Sequence, residues 1–270
     1  MTAVAPPETA SGSPERFGYE WRTYAEMRPE YEEQFRRWTA LLSPEDWAGK
    51  AFLDVGCGMG RNSYWPLCYG ADAGVAIDVD AGSLASARRT LDPFPNATVR
   101  AMSAYQIDYV DRFDIVFSIG VIHHLADPAA ALAQMAKAAK PGGRVLIWVY
   151  GLENNEWVCR FFDPLRRALF SRLPIGLVHH LSLYPAALLW AGLRLGIRPI
   201  DYFRLLRRLG FRQLRSIVFD QMLPRIAHYW PRATVEQLMR GCGLDDVSLA
   251  WVNQMSWSAI GTKRAGNPQQ

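Results

Sequence analysis

Gly56, Gly58 and Gly60 alternate through the segment FLDVGCGMG, directly after an apolar run that carries Asp54. Glycine tolerates positive φ and lets the backbone come close to a bound molecule. A second apolar run, GVAID, ends in Asp78, 20 residues after Gly58. A carboxylate at the end of a strand beside such a loop is placed to accept hydrogen bonds from both hydroxyls of a ribose. Nicotinamide dinucleotide sites use the spacing GxGxxG, whose third glycine opens a phosphate-binding helix. Here the spacing is GxGxG and Arg61 stands where that glycine would be.

Other reactive side chains stand where the chain leaves an apolar run. His123 and His124 follow FDIVFSIG, and an imidazole there is a candidate base near neutral pH. Tyr150 closes RVLIWVY, and Glu153, Asn154 and Asn155 follow as polar groups suited to holding a substrate. Asp220 lies among Val218, Phe219, Met222 and Leu223. If buried, a carboxylate in that setting must be paired or used chemically. His228 and Tyr229 come next as substrate contacts, and Trp21 and Tyr24 are candidates to cover a ligand. Cys57, Cys68, Cys159 and Cys242 form no CxxC pair and no zinc-spaced cluster with histidine. The expectation is reduced thiols, as in the cytoplasm, and no metal site.

These groups require strands to carry them. AFLDV (51–55), GVAID (74–78), ATVRAM (97–102), FDIVFSIG (113–120) and RVLIWVY (144–150) read as five buried strands separated by helical patterns. That alternation predicts an α/β fold with a parallel sheet and helices on both faces. DVSLAWVN (246–253) and SWSAIGTKR (256–264) read as two closing strands after a helix over 234–244. Aromatic spacings of three and four over 20–42 predict one or two amphipathic helices divided at Pro29. The division is then a disordered lead-in (1–14), a helical cover (15–49), a core (50–150), a helical insert (151–230), the closing helix and strands (231–264) and a tail (265–270). No signal-peptide pattern opens the chain.

DVGCGMGRN, AIDVD, FDIVFSIGVIHHLADP and KPGGRVLIW, in that order, resemble the successive motifs of class I S-adenosylmethionine-dependent methyltransferases. The resemblance is close over roughly residues 50–150 and looser over the last two strands. It implies a Rossmann-like seven-stranded, mostly parallel sheet whose final strand is antiparallel. It implies S-adenosyl-L-methionine as cofactor, with Asp54 and the loop of Gly56, Cys57, Gly58 and Gly60 around its methionine part. Asp78 would hold the ribose, Val79 flank the adenine, and Ile119 and Gly120 line the floor. Where the family often has an acid that meets the adenine amino group, this chain has Met102, Ser103 and Ala104. Ser103 offers a weaker acceptor there. The Asn/Asp-Pro-Pro-aromatic motif of nucleobase amino methyltransferases is replaced by Ile119-Gly120-Val121-Ile122.

The formal charge of +4 over 270 residues does not by itself indicate a nucleic-acid partner. Its distribution is uneven. The insert holds twelve arginines, no lysine and five acids, a balance of +7 against −3 elsewhere. Residues 173–193 carry no Asp, Glu, Lys or Arg. Their polar residues and Pro185 favour two short helices broken near that proline, forming a lid or an oligomer contact, over a membrane span. Peripheral membrane contact through this stretch is the next reading. The expected acceptor is a small molecule, apolar or lipid-linked with an anionic group. An RNA methyltransferase using the arginines to grip phosphates, and a non-catalytic scaffold, are the alternatives.

Overall fold

The computed structural model describes residues 13–196 and 201–265. The expected lead-in and tail lie almost wholly outside them. The first described helix, α1 (Pro14–Thr23), starts earlier than the aromatic spacing suggested. Proline at its first position needs no backbone partner for a missing N–H.

The apolar runs become β1 (Ala51–Val55), β2 (Ala73–Asp78), β3 (Ala97–Ala101), β4 (Phe113–Ile119) and β5 (Ala139–Tyr150). β6 (Leu244–Val252) and β7 (Ser256–Lys263) close the chain. They form one seven-stranded sheet in the order β3-β2-β1-β4-β5-β7-β6. β1 to β5 pair in parallel, and β7 runs antiparallel to both β5 and β6. This is the expected fold class. β5 begins five residues earlier than expected, because the Pro141-Gly142-Gly143 segment is absorbed as a register shift against β4. Gly142 has φ +76 there, which a side chain would resist.

Alternation along the strands builds two cores. Leu53, Val55, Ile77, Val116 and Ile147 face one layer, while Phe52, Ala76, Ile115, Phe117 and Leu146 face the other. Helices α3 (Arg61–Cys68), α4 (Ala81–Leu91), α5 (Pro128–Ala138) and α11 (Arg232–Gly241) cover the sheet. Helix α2 (Glu30–Trp38) packs Phe35 and Trp38 onto the second core.

Between β5 and α11 lie further helices. A first helix has α6 (Asp163–Leu165) flanked by π turns over Val158–Phe162 and Arg166–Phe170. It is followed by α7 (Ile175–Leu181), α8 (Leu183–Arg194), α9 (Asp201–Leu206) and α10 (Phe211–Met222). The segment leaves and returns side by side: Trp230 N donates to Tyr150 O at 3.1 Å and Leu152 N donates to Trp230 O at 3.1 Å. The uncharged stretch 173–193 does form two helices, but the break is at Ser182 rather than Pro185. Pro185 falls in the first turn of α8, where no intrahelical N–H bond is lost. Among the described residues no helix is long and apolar enough to cross a membrane.

Helix α1 is tied to these helices by a buried arginine. Arg16 donates to the carbonyls of Phe170, Leu173 and Leu223 at 2.8, 3.2 and 2.9 Å. On its other side Gly18 meets Asp80 so closely that a Cβ would overlap that carboxylate. Helix α1 therefore bridges the sheet domain and the helical segment.

Candidate active site

Gly56, Gly58 and Gly60 all adopt positive φ, at +79, +54 and +82. Gly56 N and Cys57 N both donate to Ile77 O, at 2.8 and 2.9 Å, which folds the loop back over β2. A Cβ on Gly58 would stand 2.8 Å from Trp21 Nε1, so α1 lies directly over the loop. Asp78 secures the other side. Its Oδ2 accepts from Gly58 N at 2.9 Å, and its Oδ1 accepts from Val79 N and Asp80 N at 2.8 and 3.0 Å. An ionised carboxylate has about four acceptor sites, so room remains for a ligand's hydroxyl groups.

Asp54 sits beneath the loop, 1 % exposed, and does not line the cavity. Its Oδ2 accepts from Ser63 Oγ at 2.6 Å, while Oδ1 is buried without a partner. Burial pushes this carboxyl up to about 7, with the neighbouring Asp78 adding to the shift and the Ser63 hydroxyl opposing it. The lone oxygen is a polar requirement that folding does not meet, beside a loop shaped to receive a ligand.

A cavity of about 850 Å³ opens from this loop. Gly56, Cys57, Gly58, Asp78, Val79, Ser103, Ala104, Ile119 and Gly120 line one end; Gly60 does not. Ser103 Oγ accepts from Tyr105 N at 3.2 Å, so its hydroxyl proton is free to be donated. The other end is walled by Phe162, Leu189, Phe203, Leu206, Ile217 and Met222 of the helical segment. Pockets for drug-sized ligands span about 300–1,000 Å³, and this one has room for two adjoining molecules.

Polar groups gather where the two ends meet. Asp220 of α10 is half-buried in the cavity wall, and its Oδ2 accepts from Tyr150 OH at 3.3 Å. Gln221 Nε2 donates to the same hydroxyl at 2.7 Å. Glu20 of α1, 1 % exposed, faces Asp220 and accepts from Ser216 Oγ at 2.8 Å. Desolvation raises the pKa of both carboxyls; the Asp220 charge raises Glu20 further, while a hydrogen bond from Glu20 favours the ionised form of Asp220. Arg61 opposes this. Its guanidinium lies 5.0, 5.1 and 5.2 Å from the ring centres of Trp21, Tyr31 and Trp38.

His124 lines the cavity and donates from Nδ1 to Ile226 O at 2.7 Å. Burial pulls its pKa down to about 3, so the ring is neutral at physiological pH and a weak proton acceptor. His123 is fully buried against Tyr150, with both ring nitrogens unpartnered and its pKa depressed by burial and by His124. It does not line the cavity.

The remaining expected contacts divide. Trp21, Asn154, Asn155 and Tyr229 line the cavity, Tyr229 stacked on Tyr150 at 5.3 Å. Asn155 Nδ2 also donates to Gly151 O and Met255 O, which holds the loop to the β6–β7 turn. Three residues are engaged elsewhere. Tyr24 bonds His179 Nε2 at 3.0 Å, Glu153 accepts from Trp257 Nε1 and Arg232 N, and His228 bonds Leu125 O. Sequence reasoning missed Glu20 and Arg61. Glu20 carried a signal: it shares a helix face with Phe17 and Tyr24, an acid on an otherwise apolar stripe.

Comparison with known proteins agrees with this geometry. Residues 53–147 match the family described as a methyltransferase domain. Among curated relatives, a tRNA U34 carboxymethyltransferase of Klebsiella pneumoniae subsp. pneumoniae is 30% identical over 126 residues, covering 44% of this chain and 37% of that protein. The chain thus spans little more than a third of the length of the first such relatives it matches. Among solved structures, a SAM-dependent methyltransferase from Aquifex aeolicus has a TM-score of 0.54 at 14% identity, covering 91% of this chain and 97% of that one. Human N-acetylserotonin methyltransferase in complex with SAM scores 0.56 at 12% identity, covering 93% and 56%. At such identities the structures speak for the fold. Residues 53–147 thus match the methyltransferase-domain family, and the strand order is that of the class I S-adenosylmethionine-dependent methyltransferase fold that these structures share.

Proposed function

We propose that the chain transfers a methyl group from S-adenosylmethionine to a small molecule with an apolar body. The observation that carries this reading is the single cavity running from the Gly58–Asp78 cradle into the apolar wall of Phe162, Leu189, Phe203 and Met222. Bound in the cradle, the cofactor supplies an electrophilic methyl group. Asp78 would orient it with the acceptor capacity its carboxylate keeps, and Trp21 on α1, which lies over the loop, would exclude water. The helical segment aligns the acceptor.

A face of the same segment suits contact with an anionic membrane. Trp157, Phe161, Leu165 and Leu169 are spaced by four along the mixed α and π helix and all are exposed, Phe161 at 69 %. Trp157 and Leu165 also reach the cavity. Arg160 and Arg167 lie between them, a charge pattern complementary to lipid phosphates. Leu177, Tyr184 and Leu188 are exposed on α7 and α8, within the stretch 173–193.

RNA as acceptor is the second reading, favoured by the names of the curated relatives and by the arginines of the insert. Incubation with methyl-tritiated S-adenosylmethionine decides between them. Label from a bacterial lipid and metabolite extract should partition into organic solvent. Label in bulk tRNA instead would overturn the small-molecule reading. Failure of S-adenosylhomocysteine to bind at millimolar concentration would favour a scaffold without catalysis.

A further inference from the structure

Glu20 and Asp220 come from elements far apart in sequence, α1 and α10, and both line the cavity where its cofactor end meets its apolar end. Taking a carboxyl group out of water costs several kcal/mol when it lacks a full set of partners. Asp220 has Tyr150 at one oxygen. Glu20 accepts from Ser216 at Oε1, and its other polar neighbour is Asp220 itself; the buried Oε2 has no donor from the rest of the chain. Glu20 ties α1 to α10 through Ser216, and Asp220 ties α10 to β5 through Tyr150, but a neutral amide would serve either tie, and the two acids stand at the one place a second substrate would enter. Two carboxyls this close cannot both be ionised without a large penalty, and they share a proton. Arg61, held by its three rings, balances the remaining negative charge. The junction is then neutral overall, and both acids line the cavity with Arg61 beside them.

Resting on the methyl-transfer reading, we propose that Glu20 and Asp220 are the acceptor subsite: they bind an uncharged hydroxyl carried on an apolar body and accept its proton. The hydroxyl donates to the pair as it docks. Its oxygen forms a bond to the methyl carbon while the carbon–sulfur bond breaks. The bonding electrons stay on sulfur, which becomes a neutral thioether, and the hydroxyl proton passes to the ionised carboxyl of the pair. Tyr150, fixed by Gln221, holds Asp220 in place for that transfer. An anionic head is repelled at this point. An ammonium head competes with Arg61 for the same charge.

Three probes with one body and different heads test this: para-octylphenol, para-octylbenzoate and para-octylbenzylammonium, titrated calorimetrically into the wild-type chain saturated with S-adenosylhomocysteine. The phenol should bind at least about tenfold tighter than the other two. Glu20→Gln and Asp220→Asn are near-isosteric, and each should weaken phenol binding about tenfold while leaving the S-adenosylhomocysteine Kd within about twofold. Equal or tighter binding of the benzoate or the benzylammonium overturns the proposal, as does absence of phenol binding. Variants that lose S-adenosylhomocysteine affinity instead of phenol affinity overturn it too, by assigning the acids to the cofactor's ammonium group. If the wild-type chain itself fails to bind S-adenosylhomocysteine, it is the methyl-transfer reading that fails. The head-group comparison needs no variant, so it decides even if a substitution prevents folding.

Discussion

Asp54→Asn should make the chain relatively more stable at high pH. The Asp54 carboxyl is fully buried, bonded at one oxygen to Ser63 and unpartnered at the other, and stands at about 7 in the folded state. In the unfolded chain it returns to the ordinary value near 3.9. The folded pKa is thus raised. Stability is fully present below the unfolded value and is lost as pH rises through the folded one, because between them the folded state holds a proton that the unfolded state has released. From pH 5 to pH 7 that loss is about 1.4 kcal/mol per unit, so about 2.7 kcal/mol in all, and little changes above pH 8. Asparagine keeps an oxygen for the Ser63 hydroxyl and has nothing to ionise. The difference in unfolding free energy between variant and wild type should therefore rise by about 2.7 kcal/mol between pH 5 and pH 8, roughly 5–10 °C in the melting temperature of a domain this size. Taking the difference cancels the contributions of Glu20, Asp220 and the two buried histidines, which titrate in both proteins. Urea unfolding at four pH values measures it. A difference that stays flat within about 0.5 kcal/mol would falsify the burial argument and leave Asp54 solvated or paired.

Three shorter predictions follow from the same geometry. Asp78→Ala removes the acceptor of three loop amides and of a ribose, at about 1.5–3 kcal/mol for each bond to a charged group, so the S-adenosylhomocysteine Kd should rise more than about 100-fold; a calorimetric change under about tenfold would remove Asp78 from the cofactor site. The His124 imidazole, at about 3 through burial, should show no chemical-shift titration in NMR spectra between about pH 8 and pH 5, and a midpoint near 6.5 would mean that the ring is open to water. Vesicles of phosphatidylserine should co-sediment the chain in low salt, and Phe161→Ser combined with Leu169→Ser, both outside the cavity lining, should abolish this while leaving S-adenosylhomocysteine affinity unchanged; binding that survives the double substitution would move the membrane face elsewhere.

The cradle was legible because its chemistry is local. Gly58, Asp78 and the strands that carry them lie within about thirty residues, and the alternation of apolar runs with helices determines which strand ends meet. What was hidden lies across long separations. Arg61 entered the sequence argument only as the residue that breaks a nicotinamide fingerprint, yet its rings come from Trp21, Tyr31 and Trp38, which precede the loop. Asp220 drew notice as an acid among apolar residues, but its partner Glu20 is 200 positions away, and no local pattern joins α1 to α10. The two helices are joined by the Glu20–Ser216 bond and by Arg16, whose guanidinium binds carbonyls on both sides of the helical segment. That makes α1 the part of the chain on which both halves of the site depend: Trp21 over the donor loop and Glu20 at the acceptor junction are adjacent residues of one helix. On the roles proposed for them, a shift of that helix would move the cover over the donor loop and the proton acceptor together.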